Sequence, residues 1–225
     1  MIGKEKVRAY YIIVGTILAF LMFNFDWNMG LAYLAFILLD YVAYDSDRFI
    51  SLPLEKRQDN RFSAFGWGLA GYIGFISISL LLITPLKSLG ITGTMSLFAN
   101  TIPAFAGNNF LKVVAWGILI PIIETNFFFG RVLEFTSEKF FKINPNSKQW
   151  LRLIPAIMIV VLAFVLFHAS VKGIQNNIAL IMTGVFALVS CVVVVHFGET
   201  KQAIWMHIFA NTLAILLTLA IILPK

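Results

Sequence analysis

The sequence predicts an all-α membrane protein: a polytopic transmembrane bundle of about seven spans, with one further interfacial or re-entrant segment. Three observations carry that expectation. Of 225 residues, 60% are hydrophobic and 12% charged, against about half and about a quarter in a soluble domain. The excess comes in long blocks, with a mean hydropathy of +0.87, and not in the alternating segments that a barrel requires. The basic residues behind the net charge of +6 fall in loops between the blocks, where positive-inside topology accounts for them. No basic–aromatic patch points to nucleic acid as a partner.

In chain order, Met1 to Arg8 is basic, and the apolar run Ala9 to Phe25 follows without a small-residue cleavage site. It reads as a first span rather than a signal peptide. The second run, Met29 to Tyr44, contains Asp40, which reads as facing the bundle near the span's end. A polar loop carrying Arg48, Lys56, Arg57 and Arg61 leads to a third span, Ala64 to Thr84, whose Gly66, Gly68, Gly71 and Gly74 invite close helix packing. Residues 85–109 are interrupted by Gly90, Gly93, Asn100, Pro103 and Gly107. If this segment does not cross, three basic clusters share one side: Lys4, Lys6 and Arg8; the four basic residues of the loop before the third span; and the later Arg131, Lys139, Lys142, Lys148 and Arg152. Only Lys87 and Lys172 fall mainly on the other side. The segment is therefore expected to lie in the membrane without spanning it, and the N-terminus to be cytoplasmic.

The fourth span is expected from about Leu111, kinked at Pro121, which has no backbone N–H to donate. The fifth covers Leu151 to His168, extending as far as Lys172; the sixth, Asn177 to Val195; the seventh, Gln202 to Leu223. No linker or repeat divides the chain, so 1–225 reads as one integral membrane domain, with the chemistry in about 111–223. Cys191, alone of its kind, lies mid-span and reads as a small core residue. It excludes an internal disulfide or a multi-cysteine metal site.

Into these apolar runs the sequence places a few groups able to do chemistry. Glu124 lies within WGILIPIIETNFFFGRVLEF. A bare carboxylate in hydrocarbon costs several kcal/mol, so it must face protein or a wet cavity. Phe164 and His168 are four apart on one helix, and so are His207 and Asn211, so each pair shares a face. An imidazole and an amide on one face can both donate to an oxyanion in a dry site, and a carboxylate can deprotonate a water. The set fits a hydrolytic site: Glu124 as base, His168 holding the water, His207 and Asn211 on the oxyanion. On straight helices, His168 would lie about 10 Å in depth from Glu124 and His207.

Phe164-Val-Leu-Phe-His168 and His207-Ile-Phe-Ala-Asn211 resemble, in order and spacing, the second and third motifs of the CPBP (Abi) family. That family includes the type II CAAX prenyl endopeptidases, which are intramembrane glutamic proteases. The resemblance runs from Pro121 onward. In the first motif, Glu-Glu-x-x-x-Arg, Glu124 stands at the first glutamate, Thr125 replaces the second, and Phe129 takes the arginine position before Gly130, with Arg131 displaced by two. The resemblance implies that Glu124, His168, His207 and Asn211 are catalytic and that Phe164, Thr125 and Arg131 support them. It implies a metal-free mechanism, membrane lipid as surroundings, and a lipidated or membrane-associated peptide, such as a prenylated protein, as substrate.

Three other readings stay open. One Glu and two His also form an acceptable catalytic zinc set, although no His-Glu-x-x-His occurs and ligands scattered singly are weak evidence. The altered first motif suits a catalytically inactive relative acting as a membrane partner. Intramembrane Glu and His also serve proton-coupled transporters.

Overall fold

A computed structural model describes residues 30–36, 38, 61–93, 114–137, 141, 150–172 and 177–222. Every regular element among them is helical. The expected first span, most of residues 85–109, and Asp40 lie outside the described residues. Two helices among those described are long and apolar enough to cross a bilayer, Ala64–Ser88 and Asn177–Phe197, with Ile154–Ala169 a shorter apolar helix.

Helix α1 (Arg61–Ser88) runs one turn further than its sequence suggests. Pro85 removes a single donor, and the helix then closes in a Schellman cap. Ile91 N–H donates to Leu86 O (3.1 Å) and Gly90 N–H to Lys87 O (3.0 Å), with Gly90 at φ +76°. That left-handed conformation favours glycine. Of the four glycines upstream, only two make the close approach. A Cβ on Gly68 would lie 2.4 Å from Trp205 Cβ and 2.9 Å from Gln202 O; one on Gly71 would lie 3.0 Å from Met206 Sδ. Gly66 and Gly74 meet nothing within 4 Å. The opposite side of α1 exposes Leu69, Ile73, Leu80 and Leu81, the signature of a helix facing lipid.

Helix α2 (114–137) is continuous but changes pitch. Wide i→i+5 turns at Ala115–Leu119 and Thr125–Val132 alternate with α-helical Ile120–Glu124 and Leu133–Phe135. The expected kink at Pro121 is thus taken up as a wide turn, in which Ile120 N–H donates to Ala115 O. Such turns occur where a regular ladder cannot close.

A 3₁₀ turn, Trp150–Leu153, leads into α3 (Ile154–Lys172). Pro155 sits in the first turn, where a missing N–H costs little. Leu153, Ala156, Ile157, Val160, Phe164 and His168 form the buried stripe, with i, i+3, i+4 spacing. Helix α4 (Asn177–Phe197) buries Ile178, Met182, Phe186, Cys191 and Val194. A turn with Gly198 at φ +71° then reverses the chain into α5 (Lys201–Ile222). The core joins Phe128, Phe129 and Leu133 of α2 to the inner faces of α3, α4 and α5. A helical segment, 30–36, adds Phe36 to its edge.

Candidate active site

Four described elements meet at Glu124, which sits at the end of the short α-helical stretch of α2, directly before the second wide turn. The carboxylate is 3% exposed. Tyr33, from segment 30–36, donates its phenolic hydrogen to Glu124 Oε1. The other oxygen, Oε2, faces two imidazoles: Nε2 of His207 at 3.7 Å and Nε2 of His168 at 3.9 Å. The histidines are themselves 3% and 8% exposed. Both separations exceed a direct hydrogen bond and suit a small group shared among three polar atoms.

Each ring is fixed on its far side. His168 Nδ1 lies 2.9 Å from Phe164 O. A carbonyl only accepts, so Nδ1 carries a proton, and in the neutral ring Nε2 presents its lone pair toward Glu124. His207 Nδ1 lies 3.0 Å from Thr125 Oγ1. Phe164 packs on His168 with centroids 4.3 Å apart, and Phe186 lies 4.7 Å from His207.

The structure therefore brings Glu124, Thr125, Phe164, His168 and His207 together. The depth mismatch expected from straight spans does not occur. Helix α3 continues to Lys172, which leaves His168 a turn inside its end, level with Glu124. Asn211 lies one turn beyond His207, and its Nδ2 donates to Trp116 O (3.0 Å) while Thr212 Oγ1 donates to Gly117 O (3.2 Å). These are the carbonyls five and four residues before Pro121, so α5 supplies donors where the proline has none. Arg131 pairs with Glu134 at 3.4 Å, three residues along its own helix. Phe129, at the arginine position of the motif, is fully buried against Phe164 (5.0 Å) and Phe186 (6.3 Å).

Tyr33 was not among the residues that sequence spacing singled out. A signal existed: a buried tyrosine needs a partner for its hydroxyl, and Tyr33 stands in an apolar run three residues before Phe36. Its partner is 91 residues away, beyond the reach of any local pattern.

Residues 106–213 match the family model described as "Type II CAAX prenyl endopeptidase Rce1-like". The matched stretch contains Glu124, Phe164, His168, His207 and Asn211 and excludes Tyr33. No curated protein and no solved structure matches the chain.

Proposed function

We propose that the chain, which matches the Rce1-like family of type II CAAX prenyl endopeptidases over residues 106–213, is an intramembrane endopeptidase driven by a glutamate-activated water. One observation carries the reading. Glu124 Oε2 and the Nε2 atoms of His207 and His168 converge within 3.7 and 3.9 Å, from three helices, all three side chains buried. A water seated between Glu124 Oε2 and His168 Nε2, 3.9 Å apart, lies within ordinary hydrogen-bond length of both, about 2.8 Å. It donates one hydrogen to the Nε2 lone pair of His168 and the other to Glu124 Oε2.

Glu124 takes that second proton as the water oxygen bonds to the scissile carbonyl carbon. The Thr125 hydroxyl, donating to His207 Nδ1, puts a proton on Nε2. This proton and the second N–H of the Asn211 amide serve the developing oxyanion. When the carbonyl re-forms, the C–N bond breaks and the Glu124 proton passes to the leaving amine. Arg131, engaged with Glu134, takes no part in these steps.

The substrate is a peptide bond near the membrane in a lipidated or membrane-bound peptide, prenylated proteins being the class the family name implies. We read the surrounding body as a single domain of about seven spans with the N-terminus in the cytoplasm, in which residues 85–88 complete α1. The distribution of basic residues supports that arrangement.

The test is turnover of a prenylated peptide by the purified protein in proteoliposomes. Glu124→Gln lowers kcat by at least about 10²-fold, as loss of a general base does, and His168→Ala and His207→Ala fall well below wild type. Unchanged turnover in Glu124→Gln rejects the base. Loss on chelation, restored by zinc, moves the chemistry to a metal. Proton or solute flux without cleavage marks a transporter, and neither cleavage nor flux an inactive relative.

A further inference from the structure

The carboxylate of Glu124 has two chemically equivalent oxygens, and the pocket treats them differently. Oε1 accepts the Tyr33 hydroxyl, while Oε2 faces His207 and His168. Tyr33 is 0% exposed. Its ring is held edge-on by Phe36 (5.8 Å) and Phe167 (6.3 Å), and Phe36 in turn stacks on Phe127 at 4.3 Å. The hydroxyl is thus aimed by an aromatic wall that joins segment 30–36 to α2 and α3.

We propose that Tyr33 is a positioning residue for Glu124: by occupying Oε1 it fixes the rotation of the carboxylate and makes Oε2 the oxygen that takes the proton. This rests on the hydrolytic reading above and extends it to a residue outside the matched stretch 106–213. The arrangement serves both protonation states. With Glu124 ionised, Oε1 accepts a charge-assisted hydrogen bond. With the proton on Oε2, Oε1 is the carbonyl oxygen and still accepts from the same hydroxyl. No donor turns between the two states, which is what a preorganised site requires. Without the hydroxyl Oε1 loses this donor, the carboxylate is held less firmly in rotation, and its proton-taking oxygen is aimed at the two imidazoles less of the time. Misplacement of a reacting group on this scale costs turnover more than binding.

Tyr33→Phe tests this, because it removes the hydroxyl and keeps the ring in the aromatic wall. In proteoliposomes with a prenylated peptide, kcat falls about tenfold or more while KM stays within about twofold and the melting temperature is held. An infrared difference spectrum, wild type minus Glu124→Gln, isolates the Glu124 carboxyl band, and that band moves in the Tyr33→Phe background. Unchanged kcat, a change in KM alone, or an unmoved band overturns the proposal. If wild type does not cleave, or Glu124→Gln cleaves as well as wild type, hydrolysis by this base is what fails. The infrared band then decides separately whether Tyr33 fixes the carboxylate. If Tyr33→Phe fails to fold, Tyr33→Trp, which places an N–H donor from a large ring in the same wall, is read by the same band. A band at the wild-type position supports a donor to Oε1, and one at the position of a free carboxyl overturns it.

Discussion

Replacing Thr125 by valine removes the hydroxyl from His207 Nδ1 without changing side-chain shape, and Thr125→Ser restores it. In the mechanism proposed above the Thr125 hydroxyl donates across the 3.0 Å contact to His207 Nδ1, which leaves the ring proton on Nε2. Turnover of Thr125→Val is therefore expected to drop about tenfold and that of Thr125→Ser to stay near wild type, measured as kcat on one peptide. Thr125 stands where the family pattern has a second glutamate, and a short hydroxyl can orient the neighbouring imidazole without bringing a second negative charge beside Glu124. Phe129 at the arginine position belongs to the same adjustment. In a pocket walled by Phe164 and Phe186 a guanidinium would be a buried charge needing its own partners. At this scale the sequence was readable. Glu124 stood out as a lone carboxylate in an apolar run, and Phe164 with His168 and His207 with Asn211 as pairs four apart, each on one helix face. Tyr33 did not, since its significance lies wholly in a contact with a distant helix.

Helices α1 and α5 touch backbone to backbone at Gly68, where an added Cβ would meet Trp205 Cβ at 2.4 Å and the Gln202 carbonyl at 2.9 Å. Neither atom is the end of a flexible side chain, so the helices must part. Gly68→Ala is expected to destabilise by about 1–3 kcal/mol. Gly74→Ala, where a Cβ meets nothing within 4 Å, is neutral or stabilising by up to about 1 kcal/mol through helix propensity. Thermal unfolding of the two variants in one detergent checks the contrast. The sequence showed four glycines at close spacing, but their division between the contact and lipid faces depends on how α5 crosses. Pro121 is the same kind of case. Its missing donor was evident, whereas the answer, a wide turn with Asn211 and Thr212 donating to Trp116 and Gly117, comes from another helix.

Across the whole molecule, the predicted all-helical architecture matches every regular element among the described residues. Composition sufficed for that, because long apolar blocks leave a backbone no other way to satisfy its own polar groups in lipid. Relative depth was not legible: sequence gives helix lengths, and tilt and extension, as at the end of α3, decide which residues come level. The wide turn at Ala115–Leu119 bears on how this protein tolerates change in chain length. A turn closed by an i→i+5 bond stores one residue more than the turn it replaces, and Pro121, directly after it, has no N–H with which to close a tighter ladder. Deleting Ile118, which faces outward, together with Pro121→Ala would let the helix tighten while everything downstream keeps its heading. Glu124 would still meet its imidazoles, and cleavage should survive within about tenfold. Deleting outward-facing Leu188 from regular α4 has no such slack. It turns one half of that helix by about 100° against the other and should abolish activity in the same assay. On the proposed chemistry the proline and the surplus residue form a matched pair, gained or lost together if the site is to keep its aim.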